Sequence, residues 1–227
     1  MTDRDREFFL RCHQSGVVLS PFLDVGSMSV NEDVGLSNLR DAARKLGVEE
    51  TVGTDFADGP GVDIIADFSI PSDRFNGSWS KGKFATVAVF NVLEHTFDPV
   101  TILSNALSLV QPGGTLLVVV PSVWPVHNYP IDCLRLNPDW FRQFARIHGL
   151  DLREDLFYWL SEDFGLIPVE ELRKDGLDRI PTFFQLGRKQ QPWRYRMTVA
   201  VNKFVPTFLR THWHPAMVAI GVAFKRR

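Results

Sequence analysis

Two short segments carry the residue types needed to hold a nucleotide-like ligand. Leu23-Asp24-Val25-Gly26-Ser27 closes an apolar run with an acid and a glycine. A glycine there lets the backbone approach a ligand closely, and the crevice above strand ends is where α/β sheets take their cofactors. Gly53-Thr54-Asp55 closes the next apolar run with a second acid. A carboxylate at that place can accept hydrogen bonds from both hydroxyls of a ribose. Taken singly, the first segment also reads as a plain strand-to-loop turn and the second as an acid in a polar loop. Their order in the chain is what points to an adenosine-containing ligand.

These residues need a scaffold of strand ends, and the chain alternates strand-like and helix-like patterns, which argues for a parallel sheet. Residues 3–14 read as a leading helix and residues 20–25 as the first strand. Leu36, Leu39, Ala43 and Leu46 fall at helical spacing, with Gly47 as a stop. Residues 51–56 and 62–66 read as strands two and three around the turn Asp58-Gly59-Pro60-Gly61. Residues 83–91 form a fourth strand, apolar on both faces as a central parallel strand should be. Asp98-Pro99 opens a helix as N-cap and first helical position, and Ile102, Leu103, Ala106, Leu107 and Val110 form its buried stripe. Gln111-Pro112-Gly113-Gly114 reads as a turn, and the fifth strand, 115–120, as stopping at Pro121. Asn137-Pro138 opens another helix closed by Gly149, and residues 150–160 and 216–224 supply two last strands. The predicted architecture is one doubly wound, mostly parallel, seven-stranded α/β domain over residues 1–227. Residues 161–215, before the last strand, form an insertion too long for an ordinary loop. Within it residues 192–204 read as a helix, with Trp193, Met197, Val201 and Phe204 on one face.

At this point a resemblance becomes specific. The two acid-bearing segments, Gly59-Pro60-Gly61-Val62-Asp63-Ile64-Ile65-Ala66-Asp67, Asn91-Val92-Leu93-Glu94-His95 and Leu109-Val110-Gln111-Pro112-Gly113-Gly114-Thr115-Leu116 follow one another in an order that resembles class I S-adenosylmethionine-dependent methyltransferases. With His127 and Pro130-Ile131-Asp132-Cys133-Leu134-Arg135, the match resembles the branch called methyltransferase type 11, which includes members associated with surface-glycan gene clusters. The resemblance covers residues 20–150 and implies a Rossmann-like methyltransferase fold with S-adenosylmethionine as cofactor. It implies that Asp24 and Gly26 line the methionine part of the cofactor and that Asp55 holds the ribose. Asp67 and Phe68 would contact the adenine, and Asn91 would face the methyl group. The chain departs from the family at Met28 and Val30, where glycines are usual, and at Ala85, where an aspartate often follows phenylalanine.

Methyl transfer is an in-line displacement at a sulfonium, for which orientation supplies ~7–11 kcal/mol. A hydroxyl acceptor also gains from a base, worth roughly 10²–10⁴-fold. His127, after the fifth strand, is the first candidate for that base and His95 the second. Local packing and hydrogen bonding is the competing role for both. Asp132 and Arg135 read as an ion pair shaping the loop.

Charge bounds the partners. From Arg179 onward the chain has ten Lys or Arg and no acid, although its net charge is only −2. A basic, aromatic segment on an acidic body suits an anionic partner. The acceptor expected is therefore a small molecule or glycan, methylated at oxygen and phosphorylated or lipid-linked, in preference to nucleic acid, with peripheral membrane contact through the basic segment. The competing view is a solvated basic face. Cys12 and Cys133 have neither metal-ligand nor redox spacing, and a cytoplasmic location follows as the default expectation. No metal site is expected; His212 and His214, flanking Trp213, read as a surface or packing feature. Two other functions compete: an oxidoreductase with a nucleotide cofactor, and a methyltransferase-fold protein that binds without catalysis.

Overall fold

The computed structural model describes residues 1–29, 38–71, 81–127, 131–181 and 218–227, together with positions 193, 196, 197, 200, 201 and 204. The order of elements is α1 (Asp3–Gln14), β1 (Phe22–Val25), α2 (Leu39–Lys45), β2 (Thr51–Asp55), β3 (Ile64–Ile65), β4 (Phe84–Phe90), α3 (Pro99–Leu109), β5 (Val110–Val123), α4 (Pro138–His148), β6 (Asp151–Ser161), β7 (Gly165–Pro168) and β8 (Val218–Lys225). They build one eight-stranded sheet in the order β3-β2-β1-β4-β5-β8-β6-β7. Neighbours from β3 through β5 run parallel. β8 lies antiparallel to both β5 and β6, and β7 antiparallel to β6.

The sheet is doubly wound because its central strands are apolar on both faces. In β4 and β5, Val87, Val89, Leu116, Val118 and Val120 join one buried cluster, while Ala88, Phe90, Leu117 and Val119 join another. That is the period of two expected of strands covered on both sides. α3 and α4 bring Leu103, Ala106, Phe141 and Phe144 to the first cluster. α1 and α2 bring Phe8, Phe9, Leu39 and Ala43 to the second. Close approach of α1 requires a glycine: a Cβ at Gly221 of β8 would lie 2.9 Å from the Phe8 ring.

Local signals explain most element ends. Thr2 caps α1, accepting from the backbone of Arg4 and Asp5. Asp98 caps α3 with Pro99 inside its first turn, and Gly149 ends α4 in the left-handed conformation. Three expectations need correction. The sheet has an eighth strand, β7, which hairpins onto β6 inside the segment expected to be an insertion. β5 runs on through Pro121, which pairs with Ala219 before a register shift, because antiparallel β8 follows it past the proline. The four residues 111–114 do turn, but as an excursion within β5, since Phe84 pairs with Val110 and Thr86 with Thr115. Val30, Leu36, Pro130, Arg188, Lys189, Arg194, Tyr195 and the pair His212 and His214 lie outside the described residues. At the described positions of the basic segment, Trp193, Met197, Val201 and Phe204 are all exposed. No described helix is long and apolar enough to cross a membrane.

Candidate functional site

Parallel strands that wind outward in opposite directions from β1 and β4 leave a crevice at their C-terminal ends. A cleft of about 840 Å³ opens there. Asp24, Gly26, Asp55, Asp67, Phe68, Asn91, His95 and His127 all line it. Eight residues singled out from the sequence therefore share one cavity, although they come from five separate stretches of chain.

At one end the cleft is built by the turns after β1 and β2. Gly26 has φ of +80°, and a Cβ there would stand 2.3 Å from Val92 Cγ2, so the turn admits only glycine without rearrangement. Asp24 is buried, and its Oδ2 accepts a hydrogen bond from the Arg40 amide at 2.9 Å, anchoring the start of α2. Burial pushes its pKa up to about 7. Asp55 accepts from the Phe56 amide at 2.8 Å through Oδ1 and from the Met28 amide at 3.2 Å through Oδ2. Met28, at a position where the family has glycine, is thus held by the same carboxylate expected to bind ribose. Each oxygen of Asp55 keeps further acceptor capacity. Asp67 accepts from the Ser69 amide and hydroxyl, which fixes the loop that carries the buried Phe68 ring.

At the other end, Asn91 terminates β4 with a positive φ of 54°, a conformation asparagine tolerates better than most residues. Its side chain is not free in the cleft. Asn91 Nδ2 donates to Asp5 Oδ2 at 2.9 Å, so α1 closes one wall, and Met1 and Thr2 line the cleft beside it. Burial raises the pKa of Asp5, opposed by the Thr2 amide and Asn91.

Beyond Asn91 a 3-10 turn, Leu93–His95, brings two histidines together over a buried acid. The rings of His95 and His127 meet edge to face with centroids 5.2 Å apart. Glu94 Oε1 lies 3.7 Å from His95 Nε2 and 4.0 Å from His127 Nε2. The Glu94 side chain is only 1% exposed, and among the described residues neither of its oxygens has a hydrogen-bond partner. Burial pushes its pKa up to about 8. The His127 loop is held from behind. Asp132 accepts from the His127 amide at 2.9 Å and forms a bidentate pair with Arg135, whose Nη2 stands 2.6 Å from Oδ2. That pair keeps the Asp132 carboxyl well below the usual range. Asp132 and Arg135 thus shape the loop, as their spacing suggested.

Two residues of the site were missed by sequence reasoning. Asp5 had no reading of its own within the leading helix. Glu94 stood inside the Asn91–His95 motif without a role, and its residue type alone points to the surface, since Glu is almost never fully buried unless paired.

No protein-family model and no curated protein sequence matches the chain. Solved structures do match it. A SAM-dependent methyltransferase from Archaeoglobus fulgidus is 16% identical, with 97% of this chain and 94% of that one covered at a TM-score of 0.50. Phosphoethanolamine N-methyltransferase 2 of Haemonchus contortus, solved in complex with S-adenosyl-L-methionine, is 13% identical, with 97% of this chain and 52% of that one covered at a TM-score of 0.54. With its switch-point cleft and the antiparallel β8 inserted beside β5, the chain has the fold of the class I S-adenosylmethionine-dependent methyltransferases.

Proposed function

We propose that the protein is an S-adenosylmethionine-dependent methyltransferase acting on a small-molecule or glycan hydroxyl. The observation that carries this reading is the gathering of Asp24, Gly26, Asp55, Asp67, Phe68 and Asn91 around one end of a cleft whose other end holds His95 and His127. The residues fit the cofactor: a cradle at Gly26 that a Cβ would fill, an acid with spare acceptor capacity at the end of β2, and a buried aromatic ring beside Asp67. NAD is the weaker fit, because the turn after β1 has only Gly26 of the usual glycine fingerprint.

The cofactor, when bound, supplies a methyl group on a sulfonium that is open to displacement. The chain's own residues have three tasks. Asp55 takes the ribose hydroxyls, while Asp24 and the Gly26 backbone face the methionine part and Asp67 and Phe68 the adenine. Asn91, tethered by Asp5, marks the methyl end and with α1 limits access of water. His127 receives the acceptor's proton or orients its hydroxyl, with His95 beside it. The gain asked of such a base is roughly 10²–10⁴-fold.

Residues 161–215 cover the acceptor side in this reading. Leu160 and Glu162 line the cleft, and the exposed Trp193, Met197, Val201 and Phe204 lie in the stretch from Arg179 onward, which has no acids. A phosphorylated or lipid-linked glycan would use both properties, cations on phosphate and rings on a sugar or at a membrane interface. Charge reversal at Arg188, Lys189, Arg194 and Arg196 should then weaken acceptor or liposome binding and its salt dependence without touching cofactor affinity. The experiment that tests the core of the reading is calorimetry of the full chain with S-adenosylmethionine and with NAD. Binding of the first alone supports it, and binding of NAD alone would overturn it. A turnover assay with candidate acceptors then separates an enzyme from a binding protein of the same fold.

A further inference from the structure

We infer that Glu94, His95 and His127 form a binding site for one divalent transition cation of the zinc class at the acceptor end of the cleft. The nearest ligand atoms of the three residues all lie within 4.8 Å of one another. Two ligands about 2.0–2.1 Å from a tetrahedral zinc stand roughly 3.4 Å apart. The Glu94 Oε1 to Nε2 separations of 3.7 and 4.0 Å therefore need only small rotamer adjustments to close on a cation.

The surroundings are those of a ligand set. Metal-binding histidines use one ring nitrogen and fix the other to a carbonyl or carboxylate, which sets the tautomer. Here His95 Nδ1 faces the Ile131 carbonyl at 2.5 Å. His127 Nδ1 faces the Pro125 carbonyl at 3.2 Å and Asp132 Oδ2 at 3.3 Å. Both Nδ1 atoms thus have acceptors, which favours the tautomer that leaves both Nε2 lone pairs for a cation. The acid itself is a second, independent sign. A carboxylate this buried usually has hydrogen bonds, and among the described residues neither Glu94 oxygen has one. Adjacency in the chain is no obstacle: Glu94 and His95 are consecutive, but the 3-10 turn brings both side chains near His127. His127 is 37% exposed on its side chain, which leaves a path for entry.

Two histidines and one carboxylate leave a fourth position open, as catalytic zinc sites do, and the cleft is where that position faces. Within the methyl-transfer reading, on which this clause alone depends, an acceptor oxygen in the open position would have its pKa lowered. His95 and His127 would then hold the acceptor through the cation, and His127 would orient the hydroxyl as a ligand instead of receiving its proton. The cation site itself stands without that reading.

The test is zinc titration of the full, chelator-treated chain against a chromophoric competitor, in a His212→Ala/His214→Ala background that removes the other histidine pair. One zinc per chain is expected, with more than a tenfold loss of affinity in each of Glu94→Gln, His95→Ala and His127→Ala and none in His148→Gln. Cobalt substitution gives a second readout, the visible absorption of a bound low-symmetry ion, which the same three variants should abolish. Should Glu94→Gln fold poorly by circular dichroism, the half-exposed His127→Ala keeps the question decidable. Absence of stoichiometric zinc, or equal affinity in the His95→Ala/His127→Ala double variant, would overturn the site. S-Adenosylmethionine affinity, measured in the same samples, reports separately on the cofactor end, so the two readings fail independently.

Discussion

Asn91, at the end of β4, donates a hydrogen bond of 2.9 Å to Asp5, in the first turn of α1. The same Asp5 Oδ2 accepts from the Thr2 amide at 2.7 Å. One carboxylate oxygen thus closes the capping box of the leading helix and tethers that helix to the cleft. Asn91→Ala should remove a bond to a buried acid and lower stability by about 1–3 kcal/mol. Urea denaturation gives the number, and a midpoint unchanged from the parent would show that the contact contributes nothing. A larger effect on S-adenosylmethionine affinity than on stability is expected, because α1 lines the cleft.

The assignment of Asp55 makes a sharper demand. Asp55→Ala should weaken S-adenosylmethionine binding by a few kcal/mol at most, the range for a lost charge-assisted hydrogen-bond pair. Because Asp55 also holds Met28, Asp55→Asn is the better control, since its amide oxygen can keep the Met28 contact. Equal dissociation constants for parent and Asp55→Ala, in a folded protein, would remove Asp55 from the site.

Asp24 predicts a pH dependence. Its folded pKa, about 7, lies above the ordinary aspartate value of roughly 3.9, so the folded state holds a proton that the unfolded state has released. Stability from this group is fully present below the lower value and declines as pH rises toward the upper one. Asp24→Asn should flatten that decline, with the gap between variant and parent growing by up to a few kcal/mol from pH 4 to pH 8. Thermal melts across the range measure it. A cationic ligand group beside Asp24 would favour the ionised acid, so cofactor binding near pH 6.5 should release a proton, visible as a buffer-dependent calorimetric heat.

How much of this was legible beforehand differs by element. α3 stood out because its signals are local: an apolar stripe, Asp98 as cap and Pro99 inside the first turn. β4 was legible because a strand buried on both faces is apolar throughout. β7 was not, since Gly165–Pro168 is four residues long, holds a glycine and a proline, and exists only because β6 offers an edge to pair with. Pro121 misled for a related reason, as β8 carries β5 beyond it. In the site, the cleft-lining acids of β1 and β2 were visible from their place at strand ends. Asp5 and Glu94 were not, because what gives each its character is burial by distant parts of the chain.

His127 can be separated from His95 by kinetics. His127→Ala should lower turnover by roughly 10²–10⁴-fold while S-adenosylmethionine affinity changes little. If turnover with a confirmed acceptor survives, the loop behind His127 is scaffold and His95 becomes the group to test next. Should zinc also be required for turnover, a steep loss on chelation that the parent recovers and His127→Ala does not would identify ligation as the reason.

The place of β8 has a consequence for how the chain is made. Val218–Lys225 lies between β5 and β6 and pairs with both, so each of those strands lacks one of its two neighbours until those residues leave the ribosome. Until then a nascent chain carries two long apolar edges, which are templates for wrong pairing. Slow synthesis or early termination before Val218 should therefore yield insoluble product, even though Asp24, Gly26, Asp55, Asp67, Phe68 and Asn91 of the cleft have already been translated.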